Sequence, residues 1–180
     1  MFPELDRVLW IDTDTLVRKR IDELYNLDFE GNSFAGVIDF TSNPVERLSI
    51  DNYINSGVLM INTGKLKKSG KMEEYWRMVA SEDYKGELPD QDALNMVFKG
   101  DIKIIEQIWN TFPLIYDEYS SDLIENSHIV HYLSKHKPWK TEDAAYFLAV
   151  FECFRSAKVF VNEYWDVSER AVEFVQNNHV

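Results

Sequence analysis

The chain has 180 residues, of which 45% are hydrophobic and 14% aromatic, enough to build one packed domain and to exclude a disordered or fibrous protein. Its 31 acidic and 19 basic residues give a formal net charge of -12, which opposes binding to phosphodiester backbones, so no nucleic-acid partner is expected. With Cys153 as the only cysteine and no export signal or membrane span in the pattern, the expected location is the cytoplasm.

Short apolar runs alternate with helical patterns along most of the chain. The runs are rich in β-branched residues and are typical of buried strands. Helices are predicted over residues 72–80 and 90–98, with Asp90 as the N-cap of the second. This alternation predicts an α/β fold with a sheet and flanking helices. The predicted strands are residues 7–11, 33–38, 57–61, 102–105 and 128–132.

The pattern changes after Trp139, where residues 142–160 and 162–177 predict two helices. No linker or repeat separates them from what precedes. We therefore expect residues 1–140 to form a partial catalytic domain and residues 141–180 a helical cap of the same domain.

Two carboxylates, Asp12 and Asp14, follow the first predicted strand with one residue between them. Both can turn toward one cleft, where oxygen ligands suit Mg²⁺ or Mn²⁺ bound together with phosphates. An equally open interpretation is that both acids form Asx turns. A further alternative is a hydrolase that forms an aspartyl-phosphate on Asp12, although Leu16 does not fit the usual continuation of that motif.

Amides and carboxylates also occur at two other element boundaries. Asn55 precedes a predicted strand and offers a side-chain amide to a ligand, but taken alone the residues around it are more typical of a tight turn. Asp90 and Asp92 flank Gln91 at a predicted helix start, where capping alone would account for the two acids but not for the amide.

Residues 131–139 combine a histidine at a strand end with a lysine beside a proline. His131 is a candidate to complete the metal site begun by Asp12 and Asp14, although histidines at strand ends are more often structural. Lys137 is a candidate to neutralise a departing phosphate as a point charge.

Five motifs occur in an order that resembles family 8 glycosyltransferases, which include lipopolysaccharide galactosyl- and glucosyltransferases and glycogenin. The fourth motif, Trp109-Asn110, is taken as a structural feature of that family. The motifs are IDTDT at 11–15, YINSGVLMIN at 53–62, DQDALN at 90–95, WN at 109–110, and HYLSKHKPW at 131–139.

The resemblance implies a Rossmann-like, GT-A type nucleotide-sugar fold with a Mn²⁺-dependent donor site. By the family pattern, Asp12, Asp14 and His131 are the metal ligands, with Mg²⁺ as an alternative ion, and Lys137 contacts the diphosphate. Ser134 stands where relatives usually have glycine, so its backbone contact to phosphate is expected to be altered.

For the sugar, the resemblance places Asn55, Asp90 and Gln91 around the donor and its reacting carbon. Asp90 and Gln91 are thereby the catalytic candidates, and Asp39 is a further sugar contact. Because an amide is a poor nucleophile, retention by attack from the face that the diphosphate leaves is favoured over double displacement.

The resulting prediction is a retaining hexosyltransferase that moves a sugar from a UDP-sugar to a glycan or lipid-linked glycan in lipopolysaccharide synthesis, with membrane contact at most peripheral. The family's nucleobase-binding strands are expected to precede Phe2 and to be missing. A non-catalytic remnant of such an enzyme is therefore an alternative.

Overall fold

The computed structural model describes residues 4–81, 84, 87–112, 121–133 and 137. Its contacts divide these residues into two compact units. The first unit contains residues up to 12 and residues 20–110, and the second contains residues 13–19 and the described residues from 111 onward. The predicted helical cap at 141–180 lies outside the described residues.

The first unit is built on a four-stranded mixed sheet with the order β1-β4-β3-β5. β4 pairs antiparallel with both β1 and β3, whereas β3 and β5 are parallel. These strands confirm the predicted ones within the described residues, with shifted ends. Their bounds are Arg7–Ile11 for β1, Phe34–Ile38 for β3, Ile54–Asn62 for β4 and Ile102–Ile104 for β5.

β4 begins three residues earlier than the predicted strand, so the tight-turn interpretation of the residues around Asn55 is wrong. The side chain of Asn95 substitutes for a neighbouring strand at this point. Its Oδ1 accepts from the Ile54 amide at 2.7 Å, and its Nδ2 donates to the Ile54 carbonyl at 2.8 Å. Because both backbone groups of Ile54 are satisfied, the chain stays extended where the sequence suggests a turn.

The core of this unit packs one face of the sheet against two helices. Phe34 and Phe98 meet edge to face with ring centroids 4.8 Å apart. Gly36 is required for close packing, because a Cβ there would lie 2.6 Å from Ile54 Cδ1. The buried cluster consists of Phe34, Ile54, Leu59, Leu94, Val97 and Phe98, with Met72, Tyr75 and Met78 partly buried against it.

Helix α5, Pro89–Val97, begins one residue before the predicted start, and Leu88 is its N-cap. The prediction of Asp90 as N-cap is therefore wrong: Pro89 is well suited to the first helical position, which places Asp90 inside the first turn. The other helices of this unit are α1, Asp22–Tyr25; α2, Pro44–Leu48; α3, Thr63–Ser69; α4, Lys71–Val79; and a 3-10 helix, Gln107–Trp109.

The second unit contains a two-stranded antiparallel sheet of β2, Thr15–Val17, and β6, Ile129–His131. Helix α6, Ser121–Asn126, precedes β6, and Thr111 forms an isolated parallel bridge with Val130. Within the described residues, no helix has the length and apolarity needed to cross a membrane.

Candidate active site

The strand register of the second unit determines where Asp14 and His131 lie. Thr15 is opposite His131, and the Tyr132 amide donates to the Asp14 carbonyl at 2.9 Å, which extends the ladder by one residue. Asp14 and His131 therefore sit at the same end of the β2–β6 pair. His131 is buried, at 3% exposure, with its ring edge-on to Phe112.

The Asp14 carboxylate is bound on both oxygens. His131 Nε2 lies 3.1 Å from Oδ1, and Lys137 Nζ donates to Oδ2 at 2.5 Å. Lys137 also donates to the Tyr132 carbonyl at 2.6 Å. Burial alone would raise the pKa of Asp14, but the hydrogen bonds from His131 and Lys137 outweigh it and hold that pKa far below the usual range. We call Asp14, His131 and Lys137 the Asp14 cluster.

Asp12 follows β1 directly, and its backbone amide donates to the Gly57 carbonyl at 2.8 Å, which continues the β1–β4 pairing. Its Oδ1 accepts from the Trp10 indole nitrogen at 3.0 Å. Asp12 belongs to the first unit and precedes Asp14 by two residues in the chain. Within the second unit, Asp14 and His131 lie close enough to share one ion, with His131 Nε2 3.1 Å from Asp14 Oδ1.

This donor set fits the predicted cation. Carboxylate oxygens suit Mg²⁺, Ca²⁺ and Mn²⁺, whereas an imidazole nitrogen suits transition metals, so Mn²⁺ accommodates the mixture. The half-buried carboxylates leave room for further oxygen ligands, as a hexacoordinate ion bound with phosphates requires. Within the described residues, this is the group of acids and histidines with metal-ligand spacing.

Gln91 lies at the centre of a buried polar network in the first unit and is 4% exposed. Its Nε2 donates to Asp39 Oδ2 at 2.8 Å and to the Tyr53 hydroxyl at 3.1 Å. Its Oε1 accepts from Asn55 Nδ2 at 3.1 Å, from the Ser56 amide at 2.9 Å and from Ser56 Oγ at 3.2 Å. We call Asp39, Tyr53, Asn55, Gln91 and Asp92 the Gln91 network.

Asp39 directly follows β3 and is 2% exposed. Its Oδ1 accepts from the amide and hydroxyl of Thr41 at 2.7 and 2.6 Å, and its Oδ2 accepts from Gln91 and, at 3.4 Å, from Asn55. Among the described residues these donors are all neutral. The described hydrogen bonds of the buried Asp39 side chain therefore come from neutral groups and not from a cation.

Asn55 is held at both ends of its side chain. Its Oδ1 accepts from the Gly57 amide and from Asn110 Nδ2, both at 2.9 Å, while its Nδ2 is directed to Asp39 and Gln91. Asn110, taken from the sequence as a structural residue, thus orients a predicted sugar-site residue. The structure brings together Asp39, Asn55 and Gln91, as predicted for one subsite.

Asp90 precedes the buried Gln91 in the chain but is itself exposed. It lines a pocket of about 250 Å³ together with Trp10, Asp12 and Ser56. The remaining lining is mainly apolar and includes Tyr75 and the largely exposed Trp76. Ser134 lies outside the described residues.

From the sequence, helix capping alone was expected to account for Asp92, but its closest contacts are with other groups. It is fully buried, and Arg47 binds it with both terminal nitrogens, Nη1 to Oδ2 at 3.0 Å and Nη2 to Oδ1 at 2.9 Å. The Tyr53 hydroxyl donates to Oδ1 at 2.5 Å, while the capping contact from the Leu88 amide is longer, at 3.4 Å. Burial would raise the pKa of Asp92, but Arg47 and Tyr53 lower it overall.

Sequence reasoning missed Arg47, Tyr53 and Asp92 as parts of the site. The only available signal was the position of Tyr53 and Asp92 next to predicted residues, Asn55 and Gln91. Arg47 carries no local signal, because its partner is 45 residues away in the chain.

Comparison with solved structures shows that this fold is of the GT-A glycosyltransferase type. The chain is similar to the galactosyltransferase LgtC, solved with donor and acceptor sugar analogues, with a TM-score of 0.66 at 23% identity, covering 88% of this chain and 63% of that chain. It is also similar to the glycosyltransferase GlyE of Streptococcus pneumoniae TIGR4, with a TM-score of 0.63 at 24% identity, covering 93% and 44% respectively. The predicted α/β fold with a mixed sheet is confirmed.

The chain belongs to glycosyl transferase family 8, whose family model matches residues 1–143. The lipopolysaccharide 1,2-glucosyltransferase of Escherichia coli is 30% identical over 152 residues, which cover 75% of this chain and 45% of that protein. Glycosyltransferase GlyA of Streptococcus pneumoniae serotype 4 is 28% identical over 143 residues, covering 77% and 20% respectively. The predicted family is confirmed, and the chain spans less than half the length of these curated relatives.

Proposed function

We propose that this chain carries the metal and sugar subsites of a retaining hexosyltransferase that moves a sugar from a UDP-sugar to a glycan acceptor. The observation that carries the proposal is the pairing of His131 and Lys137 with the two carboxylate oxygens of Asp14, in a family 8 chain. Similarity to the lipopolysaccharide 1,2-glucosyltransferase of Escherichia coli supports lipopolysaccharide synthesis as the pathway.

Asp12, Asp14 and His131 would hold Mn²⁺. When bound, the ion supplies positive charge where the departing diphosphate becomes more negative. His131 reaches such a site through Nε2, the nitrogen that now faces Asp14. The second carboxylate keeps the ligand set anionic, so that it attracts a cation in a chain whose net charge of -12 otherwise repels phosphates.

Lys137 would bind the diphosphate as a second positive charge. Its ammonium group is half-buried and now neutralises Asp14, so a bound cation would take over that task and release the lysine toward phosphate. A flexible ammonium suits such an exchange of partners better than a planar guanidinium. Lys137 would then stabilise charge that forms as the sugar departs.

Gln91, Asn55 and Asp39 would bind the donor sugar. Both Gln91 amide protons and its oxygen already have protein partners, which agrees with a positioning amide and not with a nucleophile. The same-face route then applies: the bond from C1 to the phosphate oxygen breaks, the acceptor oxygen bonds to C1 on the same face, and its proton passes to the departing phosphate. Asp39 supplies a buried negative charge near positive charge that develops on the sugar ring.

The pocket beside Asp12, Ser56 and Asp90 supports an acceptor region in the same unit. Its carboxylates and hydroxyl would bind sugar hydroxyls, while Tyr75 and Trp76 offer flat faces for a ring or an apolar group. Asp90 is thereby proposed as an acceptor contact at the edge of the reacting centre.

Calorimetric titration of UDP into the purified chain, first with Mn²⁺ and then with EDTA, tests the proposal. Binding that occurs only with Mn²⁺ supports it. Absence of binding in a chain that unfolds cooperatively contradicts it for this chain and favours the non-catalytic remnant. Asp51→Asn, which removes an exposed acid, serves as a control and should bind as the unmodified chain does.

The hydrolase alternative makes a different prediction for the same chain. Asp12 would become phosphorylated by a small phosphodonor such as acetyl phosphate, and Asp12→Asn would abolish the labelling. Labelling without any preference for nucleotide sugars would replace the glycosyltransferase proposal. Family membership favours the transferase, in which no aspartyl-phosphate forms.

A further inference from the structure

The Gln91 side chain is held in one of its two possible amide orientations. Its nitrogen faces two acceptors, Asp39 Oδ2 and the Tyr53 oxygen, and its oxygen faces donors from Asn55 and Ser56. A flip of the amide would place oxygen against the Asp39 carboxylate and nitrogen against N–H groups. The network therefore selects the orientation by hydrogen-bond polarity.

The Tyr53 oxygen can accept from Gln91 because the Tyr53 hydroxyl proton is donated to another group. The proton is donated to Asp92 Oδ1 at 2.5 Å, which leaves the oxygen lone pairs to accept from Gln91 at 3.1 Å. Burial and the contact with Asp92 raise the pKa of Tyr53, so the phenol remains protonated.

Asp92 can accept this hydrogen bond because Arg47 keeps the Asp92 carboxylate ionised. The guanidinium binds both carboxylate oxygens, at 2.9 and 3.0 Å, and is largely buried with 18% of its side chain exposed. Without this ion pair, Asp92 could be protonated and donate to the Tyr53 oxygen. The Tyr53 hydroxyl proton would then no longer be held on Asp92 and could face Gln91.

We infer that Arg47, Asp92 and Tyr53 act in series as positioning residues, which fix the orientation of the Gln91 amide before a donor arrives. Their benefit to sugar binding rests on the proposed function, in which Gln91 belongs to the donor subsite. Arg47 keeps Asp92 ionised, and the ionised Asp92 accepts from the Tyr53 hydroxyl. The Tyr53 oxygen is thereby left to accept from the Gln91 amide. Preorganisation of this kind lowers the cost of ordering polar groups when a ligand binds.

A second buried aspartate provides a matched comparison. Asp101 is 8% exposed, accepts from the Ser33 hydroxyl at 2.7 Å and pairs with Lys65, which makes it chemically similar to Asp92. Its described contacts do not include Gln91 or Tyr53. Asp101→Asn therefore removes a comparable buried charge without touching the Gln91 network.

The first test observes the Gln91 side chain directly. In a ¹⁵N–¹H correlation spectrum, the Gln91 side-chain amide pair, assigned by its loss in Gln91→Glu, is expected to exchange slowly with solvent. Tyr53→Phe removes the acceptor for one amide proton, so that resonance should shift and exchange faster. Asp101→Asn should leave both resonances in place. An unchanged pair in Tyr53→Phe, or an equal change in Asp101→Asn, overturns the inference.

The second test measures the sugar part of donor binding. The ratio of UDP-glucose to UDP affinity, both with Mn²⁺, should fall about three- to tenfold in Tyr53→Phe, with UDP affinity unchanged. Equal loss of both affinities would indicate general unfolding and would contradict a positioning role. If the unmodified chain fails to bind UDP, the proposed function fails, and the amide spectrum still decides whether Tyr53 orients Gln91. UDP-galactose is used in parallel, since the sugar identity is not assigned.

Discussion

The Gln91 network and the Asp14 cluster both hold buried or half-buried carboxylates, but they balance that charge in opposite ways. In the network, Asp39 is surrounded by neutral donors and Asp92 has its own guanidinium. In the cluster, one carboxylate is shared by an imidazole and an ammonium group, and 24% of the Asp14 side chain is exposed. The hydrogen bonds of Gln91 in the network are all made within the protein, whereas in the cluster Lys137 binds one oxygen of Asp14, the carboxylate proposed as a metal ligand.

This difference separates two ways of preparing a site. A saturated, buried network resists rearrangement, because breaking any one contact leaves a polar group unsatisfied in a medium of low dielectric constant. A partly exposed cluster can exchange partners at lower cost, because water stabilises the intermediate arrangements. We therefore expect substitutions in the network to lower stability and substitutions in the cluster to lower cation and nucleotide binding.

The largest effect is expected for Asp14→Asn in the cluster. The variant loses one charged ligand of the proposed ion. Loss of a residue that only hydrogen-bonds to a metal ligand typically lowers metal affinity about 10- to 100-fold, so Mn²⁺ affinity should fall here by at least about 100-fold. Mn²⁺-dependent UDP binding should become undetectable by calorimetry. The melting temperature is expected to change less than it would for a fully buried carboxylate, because 24% of the Asp14 side chain is exposed and the asparagine oxygen can still accept from Lys137.

Unchanged Mn²⁺-linked affinity in Asp14→Asn would remove Asp14 from the ligand set. A large drop in melting temperature would show instead that the cluster stabilises the fold and would break the comparison. Asp51→Asn is the control for loss of a single exposed charge.

The next effect is expected for Asp92→Asn in the network and concerns stability. Loss of the charge removes the buried anion that Arg47 binds with two nitrogens and leaves it only the exposed Glu87, 3.7 Å away, so the free energy of unfolding in urea should fall by about 1–3 kcal/mol. Mn²⁺ affinity should stay the same. Asp101→Asn should give a similar loss, because its pKa is likewise lowered by Lys65 and Ser33 against the raising effect of burial.

Acid should weaken the unmodified chain through these same two residues. Their pKa values are lower in the folded than in the unfolded state, so their stabilisation is present above the ordinary aspartate pKa of about 3.9 and is lost as pH falls through the lower folded values. The free energy of unfolding should therefore fall below pH about 4, and less steeply in Asp92→Asn. An equally steep fall in that variant would contradict the contribution of Asp92.

The two regions also differ in how far the sequence predicts them. The cluster residues Asp14, His131 and Lys137, together with Asp12, were all named from sequence motifs at strand ends or beside a proline, and their roles as metal ligands and phosphate contact stay predictions. The predicted fold class and family were also confirmed. What sequence did not provide was the contact of Lys137 with Asp14, which depends on the β2–β6 register.

The network was predicted only at the residues that motifs contain. Asp39, Asn55 and Gln91 were identified, but the Arg47–Asp92 pair depends on how a five-residue helix packs, and nothing distinguishes Arg47 among 19 basic residues. The turn assigned around Asn55 failed for a similar reason, since Asn95, 41 residues from Ile54, keeps that segment extended. Long-range side-chain partners thus overrode local preference.

The smallest expected effect, from Lys137→Met, is the sharpest test of partner exchange in the cluster. Methionine keeps the length of the side chain but removes the charge that now competes for Asp14 Oδ2. Mn²⁺ alone should bind more tightly to the variant, while Mn²⁺-dependent UDP binding should weaken about tenfold, because the diphosphate loses a positive partner. Lys68→Met, at an exposed lysine, should change neither affinity. Weaker binding of Mn²⁺ itself would mean that Lys137 supports the metal site instead of competing with it, and the distinction between a saturated network and an exchangeable cluster would fail at its central residue.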